Sequence, residues 1–283
     1  DSSTSRGLGD VYKRQVYVLF PILIQGDNKM AKIITIANQK GGIAKTTTAT
    51  TLASILMSQG KKVLLVDADP QGNSTDTYRA VSKDTATLYD VILDIEDPLP
   101  IAEAIQRTEI GDIVASDPEL KTADQRFPSD GNEYFRLKDA LSELTGYDYV
   151  IIDTAPADNK LLKNCLIASD KVIIPVTADR YAIQGLSELN RTIRGVEKRN
   201  NPNLEVAGLL LVKYKSRQLL AQEVKASLEE IAKQLNTKVF CTTIRESIAV
   251  QKAQATRTTL MNFEPKCNAA IDYVQFAEEL IKE

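Results

Sequence analysis

The residues of this chain that could do chemistry fall in three short motifs. The first is Asn38-Gln39-Lys40-Gly41-Gly42-Ile43-Ala44-Lys45-Thr46-Thr47. Adjacent glycines let a backbone turn tightly enough for successive N–H groups to converge on one anion. Lys45 brings a full positive charge, and a helix beginning there adds the positive end of its dipole. The Thr46 hydroxyl suits a Mg²⁺ ion that bridges phosphate oxygens. Gly41, Gly42, Ile43, Ala44, Lys45, Thr46 and Thr47 are therefore the candidate nucleotide-binding residues. The second motif, Val66-Asp67-Ala68-Asp69-Pro70-Gln71-Gly72-Asn73, carries two carboxylates on one side of a period-two strand, where both could approach a metal or an attacking water. The third, Ile151-Ile152-Asp153-Thr154-Ala155-Pro156, is an apolar strand ending in an acid, a placement that suits the Mg²⁺ side of a phosphate site. Taken singly, the second motif is also an ordinary turn and the third is common by chance. Together the three make a nucleoside-triphosphate-hydrolysing site the most economical reading.

The elements that must position these motifs alternate along the chain. Lys32 to Ala37 is β-branched and precedes the glycine turn; Thr48 to Met57 follows it with Ala49, Leu52, Ala53 and Leu56 at helical spacing. Apolar runs without alternation at 61–69, 147–153, 171–176 and 206–212 suit strands buried on both faces of a parallel sheet. Between them lie helical patterns, including one from Tyr181 to about Lys198 and a closing helix from Asn268 to Glu283. Within 80–145 the pattern is weaker: Thr87–Asp94, Ile101–Arg107 and Glu133–Leu144 read as helices, and Asp112–Ala115 as a short strand. A further strand is expected at Val239–Ile244. The predicted fold is α/β: one doubly wound, mostly parallel sheet with helices on both faces, its ligand edge at the carboxyl ends of the strands.

Composition narrows the chemistry. The chain has 283 residues, 43% of them hydrophobic, and a formal charge of −3, so any nucleic-acid contact must come from a local patch. Histidine is absent, which removes imidazole acid–base catalysis and most zinc sites. The three cysteines, Cys165, Cys241 and Cys267, are widely spaced and suggest a reducing cytoplasm, not a disulfide framework. Residues 1–29 read as a non-native or upstream-translated leader: Asp10-Val11-Tyr12-Lys13-Arg14-Gln15 resembles the translation of a transposase-type sequencing adapter, and the apolar run after it is too short to span a bilayer. Met30 is the expected start of the folded domain, 30–283, with no helix-turn-helix module ahead of it.

With these motifs in hand, the sequence resembles the ParA/Soj partition ATPases of the wider ParA–MinD group. Lys40-Gly41-Gly42-Ile43-Ala44-Lys45-Thr46-Thr47 is similar to their deviant Walker A phosphate loop, in which Lys40 holds the extra signature-lysine position. Asp67 to Asn73 is similar to their second motif and Asp153 to their Walker B aspartate. The resemblance implies ATP with Mg²⁺ as cofactors and a homodimer that forms on ATP binding. It gives Lys45 to the β/γ-phosphates, Thr46, Asp153 and Asp67 to the metal, and Asp69 to the attacking water. Lys40 would cross the dimer interface to the partner's nucleotide, so the expected catalytic set is Lys40, Asp69 and Lys45. Ala44 departs from the pattern, which usually has glycine there; alanine disfavours a positive φ, so lower affinity or turnover is expected.

Residues 207–257 hold nine basic and four acidic side chains, a local excess that sequence-independent DNA binding needs. Arg217 and Arg245 occupy positions where the resemblance implies DNA contact, and Lys213 and Lys252 belong to the same basic stretch. The expected function is DNA partition in the cytoplasm and on the nucleoid: an ATP-bound dimer on nonspecific DNA, released when a small ParB-like centromere-binding partner stimulates hydrolysis. Two alternatives stay open. A MinD-like membrane-surface regulator is disfavoured by the tail Ile271–Glu283, with four acids and one lysine, so no membrane partner is expected. A nucleotide-gated DNA-binding regulator with little hydrolysis is kept open by Ala44.

Overall fold

The long apolar runs become strands of a single sheet in the computed structural model. The structure describes residues 30–94, 98–178, 182–214, 219–234 and 236–282; the expected leader and Arg217 lie outside the described residues. In chain order the elements are β1 (Lys32–Ile36), α1 (Lys45–Ser58), β2 (Val63–Ala68), α2 (Asn73–Thr77), α3 (Leu88–Ile92), β3 (Ile105–Arg107), β4 (Asp112–Val114), α4 (Ala123–Arg126) and α5 (Arg136–Ser142). They continue as β5 (Tyr149–Thr154), α6 (Lys160–Ala168), β6 (Lys171–Thr177), α7 (Ala182–Arg199), β7 (Glu205–Val212), α8 (Leu219–Gln234), α9 (Ile248–Ala255), α10 (Leu260–Phe263) and α11 (Asn268–Ile281). The strand order is β3-β4-β2-β5-β1-β6-β7, and every pair is parallel except β3 with β4. This is the mostly parallel, doubly wound α/β fold expected from the pattern.

Both faces of the sheet are covered, which is why its strands carry apolar residues without alternation. Ile34, Ile36, Leu65 and Ile151 pack with Leu52 and Leu56 of α1 and Phe276 of α11. Their neighbours Leu64, Val66, Val150 and Ile152 pack on the opposite face with Leu88 of α3, Leu137 of α5 and Leu161 of α6. Sandwiched between sheet and outer helices, α1 buries Ala49, Leu52, Ala53 and Leu56 as its spacing implied. It ends where Gly60 takes a φ of 79°, with its N–H bonded to Met57 O and that of Lys61 to Leu56 O. That left-handed closure satisfies the last helical carbonyls and favours glycine.

Two expectations need correction. Ile101–Arg107 is not one helix: a single 3₁₀ turn, Ile101–Ala104, gives way to β3, which lies antiparallel to β4. Its apolar residues fit a helical period, but the unpaired edge of β4 captures Ile105 to Arg107. Val239–Ile244 does not form a continuous strand either. Phe240 N–H bonds Leu209 O at 3.0 Å, yet the next ladder bond to β7 comes from Ile244 N–H to Leu211 O at 2.8 Å. Four residues thus stand opposite two, and the excess loops outward. The Glu279 carboxylate of α11 accepts the freed N–H groups of Cys241 and Thr242, at 2.8 and 3.0 Å.

Candidate nucleotide-binding site

Register brings the three motifs together. β5 lies between β1 and β2, with Asp153 opposite both Ile36 and Asp67. The loop after β1 therefore opens on the edge where both acidic motifs end. Asn38 ties the start of that loop: its amide donates to Pro175 O at 2.8 Å, and its Oδ1 accepts the Lys40 N–H at 3.0 Å. Gly42 then takes a φ of 72°, and Ala44 a φ of 62° with ψ 28°. Alanine at the usual glycine position thus sits in the left-handed region, which costs an L-residue roughly 1–2 kcal/mol. At its N-terminus α1 has no side-chain cap and no acid in its first turn. Its orphan N–H groups and positive dipole end remain for an anion.

Lys45 is buried, and its Nζ donates to the Lys40 carbonyl at 3.1 Å. Burial pulls its pKa below the usual lysine value, while Asp153 and Asp69 oppose that shift by favouring the ammonium. Asp153 is fully buried; Oδ2 accepts the Ser74 hydroxyl at 2.8 Å, and Oδ1 has no hydrogen-bond partner. Burial raises its pKa, the Thr46 and Ser74 hydroxyls counteract that, and Asp69 adds to it. A buried carboxylate oxygen left unpaired beside a threonine hydroxyl is a hard-oxygen pair that fits Mg²⁺. Among the described residues no cluster of three or more acids or cysteines could hold a metal alone. Mg²⁺ here would take its remaining ligands from phosphates and water, as that ion commonly does.

Asp67 is placed differently. Its Oδ2 accepts both the N–H and the hydroxyl of Thr75, at 2.7 and 2.8 Å, and its Oδ1 the Asp69 N–H at 3.2 Å. Burial, with the negative charge of Asp153, raises its pKa. Both oxygens are committed to the protein, so Asp67 braces α2 and the following turn behind the site. Asp69 is on the wall itself. Its Oδ1 accepts the Gln71 N–H at 3.0 Å, and its carbonyl accepts the Ser116 hydroxyl at 2.6 Å.

The wall encloses a cavity of about 470 Å³, of the size small ligands use. Gly41 to Thr47 and Asp69 form part of its wall; Val212, Ile244 and Val250 supply apolar surface to the rest. Lys40 is not part of this wall. Pro156, which closes the third motif, and Ser247, Gln254 and Tyr273 are, although the sequence assigns none of them a site role. The segment 244–254 registers in sequence as part of a basic region and of the family resemblance, without a nucleotide-site role, because an apolar slot has no fixed motif. The DNA candidates separate. Lys213 lines the cavity and donates from Nζ to Gly42 O at 2.7 Å. Arg245 also lines it, and its Nε and Nη2 grip the Asp272 carboxylate at 2.6–3.1 Å. Lys252 is exposed on α9.

Known proteins share this architecture. A family model described as an AAA domain matches residues 31–206. The sporulation initiation inhibitor protein Soj of Bacillus subtilis is 36% identical over 253 residues, covering 89% of this chain and 98% of Soj. Among solved structures, cobyrinic acid a,c-diamide synthase from Mycobacterium smegmatis, with bound ATP analog and magnesium, superposes with a TM-score of 0.75 at 31% identity, over 89% of this chain and 95% of that one. Apo McdA of Cyanothece gives a TM-score of 0.79 at 26% identity, over 89% and 99%. With its Lys40-Gly41-Gly42 phosphate loop and near full-length identity to Soj, the chain belongs to the ParA/Soj family of partition ATPases.

Proposed function

We propose that the cavity binds ATP with Mg²⁺, that ATP binding closes a homodimer on nonspecific DNA, and that hydrolysis releases it. The observation that carries this reading is Lys45, a buried cation between a phosphate loop and the carboxylates of Asp69 and Asp153. A lysine is kept charged in such a place when it has anions to meet, and two nearby carboxylates do not explain the open N–H cradle around it. Lys45 and the start of α1 hold the β/γ-phosphates. Thr46, backed by Asp153, holds the metal, which when bound neutralises phosphate charge and polarises the transferring group. Asp69, on the wall and oriented by Gln71, positions the attacking water and accepts its proton. Lys40, near the start of the loop, reaches the partner's nucleotide in this reading, as the resemblance to the family implies. Its charge would then stabilise the transition state only in the dimer.

DNA contact in this reading uses Arg217, Arg245, Lys213 and Lys252, of which Lys252 is exposed on α9, and cargo identity comes from a small ParB-like centromere-binding protein that stimulates turnover. The state that binds DNA must bind ATP more tightly than the state that does not. Nucleoid association follows from the DNA contact. A MinD-like membrane role is the weaker reading: α11 buries Tyr273, Phe276, Ala277 and Leu280 in the core. Its apolar face is therefore not free for lipid. No helix among the described residues is long and apolar enough to cross a membrane.

Co-sedimentation with random-sequence DNA tests the switch. Binding is expected with ATP and not with ADP, and to weaken as salt rises. Binding indifferent to nucleotide would overturn the switch, and DNA binding in no nucleotide state would overturn the partition cycle.

A further inference from the structure

Lys213 directly follows β7 and has a φ of 52°, a left-handed backbone that lysine seldom adopts. The next residue holds it there: Tyr214 N–H bonds Ile244 O at 2.9 Å. From this anchored position the side chain lies over the phosphate loop, and Nζ donates to the Gly42 carbonyl at 2.7 Å. That carbonyl shares a planar trans peptide with the Ile43 N–H, so fixing one fixes the direction of the other. Gly42 and Ala44, on either side of Ile43, are both left-handed, at φ 72° and 62°. Glycine adopts that conformation freely, whereas alanine resists it.

We propose that Lys213 is a positioning residue for the phosphate loop: its bond to Gly42 holds the left-handed turn that Ala44 disfavours. A loop with glycine at position 44 would need no such support, so the lysine and the alanine act as a pair. A charge-assisted bond from a cation to a carbonyl is strong enough to offset one strained alanine. The ammonium, although exposed, is thereby engaged with the phosphate loop. The effect on activity rests on the ATP-binding reading above; the effect on loop structure does not.

The test combines Lys213→Asn with Ala44→Gly, alone and together. Asparagine tolerates the left-handed backbone and lacks the ammonium; Lys213→Arg keeps a cationic donor. In nucleotide-free protein, amide hydrogen exchange at residues 41–46 is expected to quicken about tenfold in Lys213→Asn, but no more than about twofold when Ala44→Gly is also present. MgATP affinity should follow the same pattern. The loss should appear as a raised KM with kcat held within about twofold, and Lys213→Arg should retain most of the affinity. Equal losses in both backgrounds would overturn the proposal, since Lys213 would then act independently of Ala44; so would no change in either. If the parent protein bound no MgATP, the nucleotide reading would fall, while hydrogen exchange would still decide for or against the Lys213 bond.

Discussion

Two parts of the cavity wall are built by different means. The phosphate part comes from one continuous stretch, residues 38–47, and its shape follows from backbone: a turn through Gly42, the start of α1, and strand ends brought together by parallel register. The remaining wall is assembled from pieces near residues 212, 244–254 and 273, and is fastened by side chains. Asp272 grips Arg245, Glu279 closes the loop at Cys241 and Thr242, and the Tyr273 and Thr48 hydroxyls share a hydrogen bond at 2.9 Å. All three fastenings use α11. Chemistry directed at phosphate demands fixed spacing, whereas an apolar slot tolerates many solutions, so only the first part leaves a motif. The basic stretch is spread over different surroundings: Lys213 and Arg245, both exposed, each bond a neighbour within the molecule, Gly42 O and Asp272.

Asp69→Ala should lower ATP turnover by about 10²–10⁴-fold with ATP binding retained, in a steady-state assay paired with a binding titration. A fall in binding instead would make Asp69 part of the phosphate cradle. Gly208→Ala should act on the remaining wall through Phe240. A methyl there would meet the Phe240 ring at 2.7 Å, and Phe240 packs edge-on against Phe276 of α11 with centroids 4.9 Å apart. A loss of about 2 kcal/mol is expected, read as a drop of roughly 5 °C in Tm. No drop would mean that β7 and α11 are joined more loosely than their packing indicates.

Arg245→Ala sharpens the DNA question. It leaves the buried Asp272 carboxylate with only the backbone N–H of residue 245 and should cost about 1 kcal/mol, at the low end because the arginine is half exposed. DNA binding should fall further than this loss of stability explains. A fall only in step with Tm, in Arg245→Ala and Asp272→Asn alike, would show instead that Arg245 is confined to Asp272. Lys252→Ala is the smallest change. It should weaken DNA binding uniformly across sequences and reduce the salt slope by about one, with ATP binding untouched.

Much of the fold was legible because strands buried on both faces are long unbroken apolar runs, as at Val63–Ala68 and Tyr149–Thr154. Short edge elements were not. Ile105 to Arg107 pairs because β4 offers a free edge, and that partner is distant from any local pattern. At Val239–Ile244 the β-branched residues suggest a strand, but a carboxylate about forty residues later draws the backbone away. Within the site, Lys45, Thr46, Asp69 and Asp153 were legible from chemistry and spacing. The strained φ at Ala44 was foreseeable from glycine's usual place there; that at Lys213 was not, since it depends on where β7 ends beside the loop.

The central claim is that residues 38–47 cradle a nucleotide through a buried Lys45. Titration calorimetry with MgATP on the parent protein and on Lys45→Ala tests it most directly. One nucleotide per chain is expected for the parent, and affinity at least about a hundredfold weaker for the variant, as losing a buried cation's charge-assisted bonds requires. Equal affinity in the two proteins, at unchanged Tm, would contradict it.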